Sequence, residues 1–245
     1  MKNIIIVLLL FSLTACIQKE NPTLFLIGDS TMANKPDLEY PERGWGQLLP
    51  TFFDKNKIEI ENHAKNGRST RSFIYESRWD TVLSKIKPGD FVVIQFAHND
   101  DVISKSRTYS THIEFRYNLS KYIKETMAKG AHPILCTPIV RRNFIDSLLV
   151  ETHGEYPNII RTVANQFKVP LIDLQHESKE LLIKLGEEKS KPIYLQIPPN
   201  IYKKVPNGKI DNTHFSEFGA KTWSKIFSKD IKKQKLELAN YLLKN

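Results

Sequence analysis

The chain alternates short apolar runs with longer, helix-like stretches. The short runs predict buried strands over residues 24–27, 58–62, 91–96, 134–137 and 169–172. The longer stretches predict helices over residues 45–53, 81–86, 112–129, 158–167 and 174–185. We also expect a helix that begins near Phe215, and a last helix over residues 231–243.

The alternation of strands with helices predicts the α/β class, with a central parallel sheet covered by helices on both faces. Pro170 lies inside the fifth apolar run, which indicates a strand at the sheet edge or one that starts at this proline. Ligand sites of such sheets lie beyond the carboxyl ends of the strands. Ser30, Gly67, Asn99 and Arg141 follow predicted strands, so they are candidates for one shared site.

The first residues have the pattern of an export signal. A lysine precedes the apolar run 4–11, which is much shorter than the roughly 20 residues of a membrane span, and small residues follow it. Leu13-Thr14-Ala15-Cys16 resembles the lipobox of bacterial lipoproteins, which implies cleavage before Cys16 and lipid attachment to it. We therefore predict a signal peptide over 1–15, a lipidated tether over 16–23 and one domain over 24–245.

The lipobox implies an exported bacterial lipoprotein of the cell envelope, held by the lipid on Cys16. Lysine and glutamate follow that cysteine closely, without an aspartate beside it, which favours the outer membrane or cell surface. The alternative is a soluble export signal that happens to end near a cysteine.

Composition narrows the class of partner. Removing 15 of the 245 residues leaves about 230, enough for one well-packed domain, and no linker or repeat divides it. Lysine and arginine total 36 against 27 acidic residues, a formal net charge of +9. Because RNA-binding and zinc-finger motifs are absent, we expect an acidic polysaccharide and no nucleic acid. A merely solvated basic surface is the alternative, and we expect a monomer.

The cysteines and histidines give no sign of a metal or cofactor. Cys136 lies in an apolar strand-like run, where a free thiol behaves as a small buried hydrophobe, and lipidation of Cys16 would exclude a disulfide. The seven histidines lack the His-Glu-x-x-His and paired-cysteine spacings of metal sites. We therefore expect neither a metal ion nor a cofactor.

Two distant segments carry the residue types of nucleophilic catalysis. Ser30 ends the segment Gly28-Asp29-Ser30 after the first strand, and Asp211 and His214 lie near the other end of the chain. A serine, a histidine and an aspartate supply a nucleophile, its base and the group that orients the base. Taken singly, the first segment is an ordinary turn and the second a carboxylate that caps a helix.

Gly67 and Asn99 extend this set. Ester hydrolysis builds negative charge on the carbonyl oxygen, so hydrogen-bond donors must surround the place where that charge develops. The backbone N–H groups of Ser30 and Gly67, with the side-chain amide of Asn99, form such a candidate trio. The simpler interpretations are a turn for Asn99 and a positive φ angle for Gly67.

These segments together resemble, in order, the four motif blocks of the SGNH (GDSL-like) hydrolase superfamily. The runs 66–73, 96–100 and 211–215 are more narrowly similar to the rhamnogalacturonan acetylesterase family, and the likeness covers about 23–229. The resemblance implies a flavodoxin-like, three-layer α/β/α sandwich that removes acetyl groups from pectic polysaccharide. It also implies Ser30 as nucleophile, Asp211 and His214 as its partners, and Ser30, Gly67 and Asn99 as oxyanion donors.

One position departs from the family, which commonly has glycine where this chain has Ala97. A left-handed backbone at Ala97 would cost on the order of 1–2 kcal/mol, whereas an extended one would cost nothing. The neighbouring His98 we interpret as a structural hydrogen-bonding residue rather than a second base.

Three further residues are candidates for substrate binding. Arg141 and Arg142 could pair with galacturonate carboxylates through their guanidinium groups, although a solvated pair in a loop is equally compatible with the sequence. His153 could line the site, with simple exposure in a loop as its alternative.

The leading hypothesis is thus a metal-independent serine esterase acting on acetylated, acidic plant polysaccharide, rhamnogalacturonan first. An esterase, lipase or thioesterase of the same superfamily with another ester as substrate is the nearest alternative. A non-catalytic lipoprotein that binds acidic glycans is the alternative from a different class, and the complete set of Ser30, Asp211 and His214 argues against it.

Overall fold

The computed structural model describes residues 21–244. Its strands in chain order are β1 (Thr23–Gly28), β2 (Glu59–Asn62), β3 (Phe91–Gln95), β4 (His132–Cys136), β5 (Phe144–Ile145), β6 (Leu148–Leu149), β7 (Leu171–Ile172), β8 (Tyr194–Ile197) and β9 (Lys209–Phe215). Five of them form one parallel sheet in the order β2-β1-β3-β4-β7. The pairs β5-β6 and β8-β9 are separate antiparallel hairpins.

The helices lie on both sides of the central sheet. They are α1 (Trp45–Leu48), α2 (Thr70–Tyr75), α3 (Arg78–Lys85), α4 (His112–Ala128), α5 (Tyr156–Phe167), α6 (Leu174–Ser190) and α7 (Glu217–Lys233). Short 3-10 helices cover Asp37–Glu39, Leu49–Phe52, Lys191–Ile193 and Glu237–Tyr241.

Successive residues of β1 enter two different hydrophobic cores. Leu24 and Leu26 pack in the core that α1, α6 and α7 cover, whereas Phe25 and Ile27 pack in the core that α2 to α5 cover. A strand that is buried on both faces is typical of a parallel sheet between two helical layers. The predicted three-layer α/β/α sandwich is therefore confirmed.

All five predicted strands of the central sheet are present, with ends shifted by at most two residues. Pro170 directly precedes β7, which is the edge strand, so the N–H group that proline lacks is not needed in the sheet. The predicted position of this proline at a sheet edge is confirmed. Only the first part of the predicted helix over 45–53 is α-helical, and it ends at Leu48. Leu49–Phe52 form a 3-10 helix with Pro50 in its first turn. Cys136 is buried, as predicted.

The helix α2 was not predicted from the apolar pattern, because it is only six residues long. Its start is defined by a capping box, in which the Ser69 hydroxyl accepts from Ser72 N–H and the Ser72 side chain accepts from Ser69 N–H. The predicted helix over 231–243 is wrong. Instead, α7 ends at Lys233, Lys235 takes a positive φ of 55°, and a 3-10 helix follows.

The hairpin β8-β9 brings the end of the chain to the carboxyl ends of the sheet. It stands outside the central sheet and was not predicted, because β9 is largely polar. Two contacts fix its last residues: Arg43 N–H donates to Phe215 O at 3.1 Å, and Ser216 pairs with Glu42 in an antiparallel bridge. Ser216 then caps α7 by accepting from Gly219 N–H.

Within residues 21–244, no helix combines the length and the apolar character that a membrane crossing requires. Residues 1–20, which include Cys16 and the predicted signal peptide, lie outside the described part of the chain.

We predict that Gly219→Ala destabilises the fold. A Cβ at position 219 would lie 1.9 Å from Ile193 O, so α7 and the 3-10 helix Lys191–Ile193 would have to separate. Overpacking of this kind costs about 1–3 kcal/mol, which lowers the thermal midpoint by roughly 3–10 °C in a chain of this size. Thermal unfolding followed by circular dichroism measures it, with the exposed Lys221→Ala as control. Equal midpoints for the two variants would contradict the packing described here.

Candidate active site

Ser30, His214 and Asp211 form a hydrogen-bonded chain. Ser30 Oγ lies 2.8 Å from His214 Nε2, and His214 Nδ1 lies 2.8 Å from Asp211 Oδ2. Ser30 follows β1 directly, whereas Asp211 and His214 lie on β9, 184 residues further along the chain from serine to histidine. The structure thus brings together the three residues that the two sequence segments predicted.

The Asp211 carboxylate fixes the direction of the imidazole. Its Oδ1 accepts from the backbone N–H groups of Thr213 at 2.8 Å and His214 at 3.0 Å, which leaves Oδ2 for the imidazole. Burial alone would raise the pKa of Asp211, but the bonds from His214 and these N–H groups outweigh it and hold the pKa below its usual value. An ionised Asp211 accepts a hydrogen bond from Nδ1–H of His214, so Nε2 faces Ser30 as an acceptor.

The buried carboxylate of Asp29 stabilises the turn that carries Ser30. Asp29 Oδ1 accepts from Thr31 N–H at 2.9 Å and from the Thr31 hydroxyl at 2.7 Å. Asp29 Oδ2 lies 3.2 Å from His98 Nδ1, and His98 Nε2 lies 3.1 Å from Ile139 O. Since both imidazole nitrogens face oxygen atoms, His98 acts as a structural hydrogen-bonding residue, as predicted.

Burial of Asp29 opposes its charge, yet the neighbouring His98 and the bonds from Thr31 lower its pKa below the usual value. An ionised Asp29 therefore has its acceptors saturated by Thr31 and His98. This arrangement orients the Ser30 turn without competing for the Ser30 hydroxyl.

Gly67 and Asn99 lie on loops that meet beside Ser30. Asn99 Nδ2 donates to Arg68 O at 2.9 Å, which leaves its second N–H free for another acceptor, and Lys65 N–H donates to Gly28 O at 3.0 Å. Among residues 21–244, the backbone N–H groups of Ser30 and Gly67 have no hydrogen-bond partner. Gly67 has a φ of 73°, which glycine adopts without strain. The three groups are thus available as donors.

Asp100, for which the sequence predicted no role, connects these loops. It is fully buried and accepts from the Thr70 hydroxyl at 2.5 Å and the Ser110 hydroxyl at 2.8 Å. Burial raises the pKa of Asp100 to about 7 even though these bonds favour the charged form. The residue anchors α2, which follows Gly67, to the loop that carries Asn99.

Arg141 and Arg142 are engaged inside the protein. Arg141 pairs with Asp101 at 3.0 Å and donates to His98 O at 3.1 Å. Arg142 is buried and donates to Ser190 Oγ, Asn212 Oδ1 and Glu187 O. The expectation that Arg142 binds substrate is therefore wrong, and both arginines are occupied in positioning the loops around the site.

His153 is also buried rather than placed on the surface. Only 1% of the residue is exposed, and its Nδ1 lies 2.9 Å from Glu151 Oε1. Burial lowers the pKa of His153 to about 4 although the Glu151 carboxylate opposes this shift. Its ring packs edge-on against His98 at 4.6 Å between centroids. The expectation of a substrate-binding role for His153 is contradicted, because the side chain supports His98 instead.

A chain of charged side chains, which the sequence did not reveal, connects the two halves of the site, and Glu42 and Lys35 within it are buried. Glu42 accepts from Lys35 Nζ and Lys209 Nζ, both at 2.8 Å. Lys35 Nζ also donates to Asn66 Oδ1 beside Gly67, and Lys209 Nζ lies 3.7 Å from Asp211 Oδ2. Burial would raise the pKa of Glu42, but the two lysines lower it. Glu42 thereby couples the Gly67 loop to the segment that carries Asp211.

The described part of the chain contains no group of three or more histidine, cysteine, aspartate or glutamate side chains placed to hold a metal ion. A cavity of about 250 Å³ lies near Phe91 and His132 at the amino ends of the strands. It therefore faces away from Ser30.

Known proteins are similar to this chain over most of its length. The sequence model of the GDSL-like Lipase/Acylhydrolase family matches residues 26–219. Rhamnogalacturonan acetylesterase RhgT of Bacillus subtilis is 38% identical over 221 residues, which cover 90% of this chain and 94% of that protein. The probable rhamnogalacturonan acetylesterase YesY of the same organism is 32% identical over 222 residues, or 90% of this chain and 97% of that protein.

Solved structures share the fold. The crystal structure of protein YxiM from Bacillus subtilis has a TM-score of 0.76 and 28% identity, covering 89% of this chain and 58% of that chain. Axe2, an acetylxylan esterase from Geobacillus stearothermophilus, has a TM-score of 0.62 and 21% identity, covering 86% and 94%. The chain therefore belongs to the GDSL-like lipase/acylhydrolase family and is a carboxylic ester hydrolase. The resemblance to SGNH hydrolases is confirmed.

We predict that Ala97→Gly stabilises the protein. Ala97 has a φ of 128°, a region that side-chain-bearing residues adopt at a cost of roughly 1–3 kcal/mol. Glycine relieves this strain but loses more backbone freedom on folding, by about 0.5–1 kcal/mol, so the net gain is on the order of 1 kcal/mol. The thermal midpoint should rise by about 2–4 °C. The control Ala164→Gly, inside α5, should lower it. A lower midpoint for Ala97→Gly would contradict the strain.

Proposed function

We propose that this hydrolase removes acetyl groups from rhamnogalacturonan through an acetyl-serine intermediate. The observation that carries the proposal is the chain of two 2.8 Å contacts from Ser30 through His214 to Asp211. Two relatives support the choice of substrate: one is named as a rhamnogalacturonan acetylesterase and the other as a probable one. Both align with this chain along nearly their whole length.

In the first step, Ser30 Oγ attacks the acetyl carbonyl carbon while its proton moves to His214 Nε2. Asp211 stabilises the resulting imidazolium through its bond to Nδ1, a role worth about 10⁴ in rate in the serine-protease example. The imidazolium then protonates the sugar oxygen, the C–O bond to the sugar breaks, and the acetyl group stays on Ser30.

In the second step, water replaces the sugar. His214 Nε2 takes a proton from water, the hydroxide attacks the acetyl-serine carbonyl, and acetate leaves as Ser30 regains its proton. In both steps, the negative charge that develops on the carbonyl oxygen is stabilised by hydrogen bonds from Ser30 N–H, Gly67 N–H and the free N–H of Asn99.

Ser30→Ala should abolish acetate release from acetylated rhamnogalacturonan, because no nucleophile remains. Asn99→Ala should keep a residual rate about 10²–10³ below that of the unaltered protein, because two of three donors remain. Enzymatic assay of released acetate measures both variants, with acetylated xylan and a long-chain ester as comparison substrates. Near-normal rates in both variants would sink the mechanism. Rapid release only from xylan or the long-chain ester would leave the mechanism standing and overturn the substrate.

We also propose that the protein acts as a lipoprotein of the bacterial cell envelope, anchored through Cys16. The motif Leu13-Thr14-Ala15-Cys16 supports this proposal. Expressed in a bacterium, the full chain should enter the membrane fraction, and Cys16→Ala should release it or leave its signal uncleaved. Fractionation with immunoblotting measures the distribution, with Cys136→Ala as the matched control. A Cys16→Ala protein whose signal is cleaved, as judged by its size on the immunoblot, and which associates with the membrane as strongly as the control would refute the anchor.

A further inference from the structure

A pocket with aromatic and basic walls lies alongside the segment that carries His214. It has a volume of about 400 Å³ and is lined by Asp37, Tyr40, Arg43, Tyr202, Lys203 and Lys204. The backbone of Arg43 is bonded to Phe215 O, the residue after His214. Glu42, which precedes Arg43 in the chain, pairs with Lys209, and Lys209 Nζ lies 3.7 Å from Asp211 Oδ2. One wall of the pocket is therefore directly continuous with the supports of the triad.

The charges of this pocket are not balanced. Three cationic side chains line it, against one carboxylate, Asp37. Arg43 Nη2 lies 3.0 Å from Asp37 Oδ1, but Lys204 Nζ donates only to the neutral carbonyl oxygen of Asp37. Within residues 21–244, Lys203 has no hydrogen bond or ion pair to another residue. Two positive charges thus remain without an acidic partner.

Two tyrosines give the pocket an apolar surface. The rings of Tyr40 and Tyr202 meet edge to face at 5.6 Å between centroids, and the Arg43 guanidinium lies 5.0 Å from the centre of the Tyr40 ring. Both tyrosines are only partly buried. Aromatic rings pack favourably against the C–H groups on the face of a pyranose, and cationic side chains pair with a carboxylate. A sugar acid has both of these features.

We propose that this pocket binds a second galacturonate residue of the substrate chain, beyond the sugar whose acetyl group reaches Ser30. The proposal rests on the proposed function, since it assigns a subsite to the same polysaccharide. The carboxylate lies between Lys203 and Lys204, and the sugar face packs against Tyr202. Arg43, which already pairs with Asp37, packs over the Tyr40 ring and holds it in place. Neutral acetylated glycans lack the group that this pocket recognises.

The test measures binding rather than turnover, so that it is independent of the esterase mechanism. A rhamnogalacturonan oligosaccharide from which the acetyl groups have been removed is titrated into the full chain by calorimetry at low salt. Lys203→Gln/Lys204→Gln should weaken its binding on the order of tenfold, because two exposed charge contacts are lost. Tyr202→Ala should weaken binding as well. The matched control is Lys232→Gln/Lys233→Gln, which removes the same charge from the exposed end of α7.

Weaker binding in the Lys203/Lys204 variant, with the control unchanged, supports the subsite. Equal loss in both double variants would mean general attraction by net charge and would overturn it, as would absence of binding to the unaltered protein. The proposed function is judged separately by acetate release. If the protein releases acetate but the Lys203→Gln/Lys204→Gln variant binds the oligosaccharide normally, only the subsite is overturned. If these lysines are needed for binding but the protein releases no acetate, only the proposed esterase function is overturned.

Discussion

The 2.8 Å contact between Ser30 Oγ and His214 Nε2 joins two segments that are 184 residues apart. Neither segment can hold this position alone, because each ends in a turn or a hairpin. The parallel sheet fixes Ser30 at the carboxyl end of β1, and α7 fixes β9 through Ser216 and Gly219. The geometry of the site therefore depends on the complete fold: any displacement of the β8-β9 hairpin relative to β1 separates Ser30 from His214. A shift of about 1 Å in such a contact can cost a hundredfold in rate.

Buried charged groups beneath the site hold this geometry. Asp29 and His98 orient the turn of Ser30, and Glu42 couples the Gly67 loop to Asp211 through Lys35 and Lys209. Each carboxylate is desolvated, and each has enough donors to compensate for the loss of water. Such networks specify one arrangement of the loops, because loss of one partner leaves another charge buried and unpaired. The open surface of the site, by contrast, consists of Gly67, Asn99 and the basic pocket beside His214.

The sequence predicted the central sheet because its strands are apolar runs, buried on both faces, that contrast clearly with their surroundings. It also predicted Ser30, Asp211 and His214, whose residue types and spacing suit one reaction. The hairpin β8-β9 escaped prediction because β9 carries polar residues without alternation, and α2 escaped because it is a single short helix. The interpretation of Arg142 and His153 failed for another reason. A charged residue in a loop is normally exposed, and only the tertiary contacts of Ser190, Asn212 and Glu151 show that these two are buried. Pairs such as Glu42 and Lys209, 167 residues apart, have no local signature at all.

The central claim is that His214 activates the hydroxyl of Ser30. Reaction with a fluorophosphonate, which phosphonylates only activated serines, tests it directly when the modified peptide is identified by mass spectrometry. We expect one phosphonyl group per chain, on Ser30, and essentially no modification in a His214→Ala variant whose folded state is verified by circular dichroism. Modification at another serine, or an undiminished rate on Ser30 without the imidazole, would contradict it.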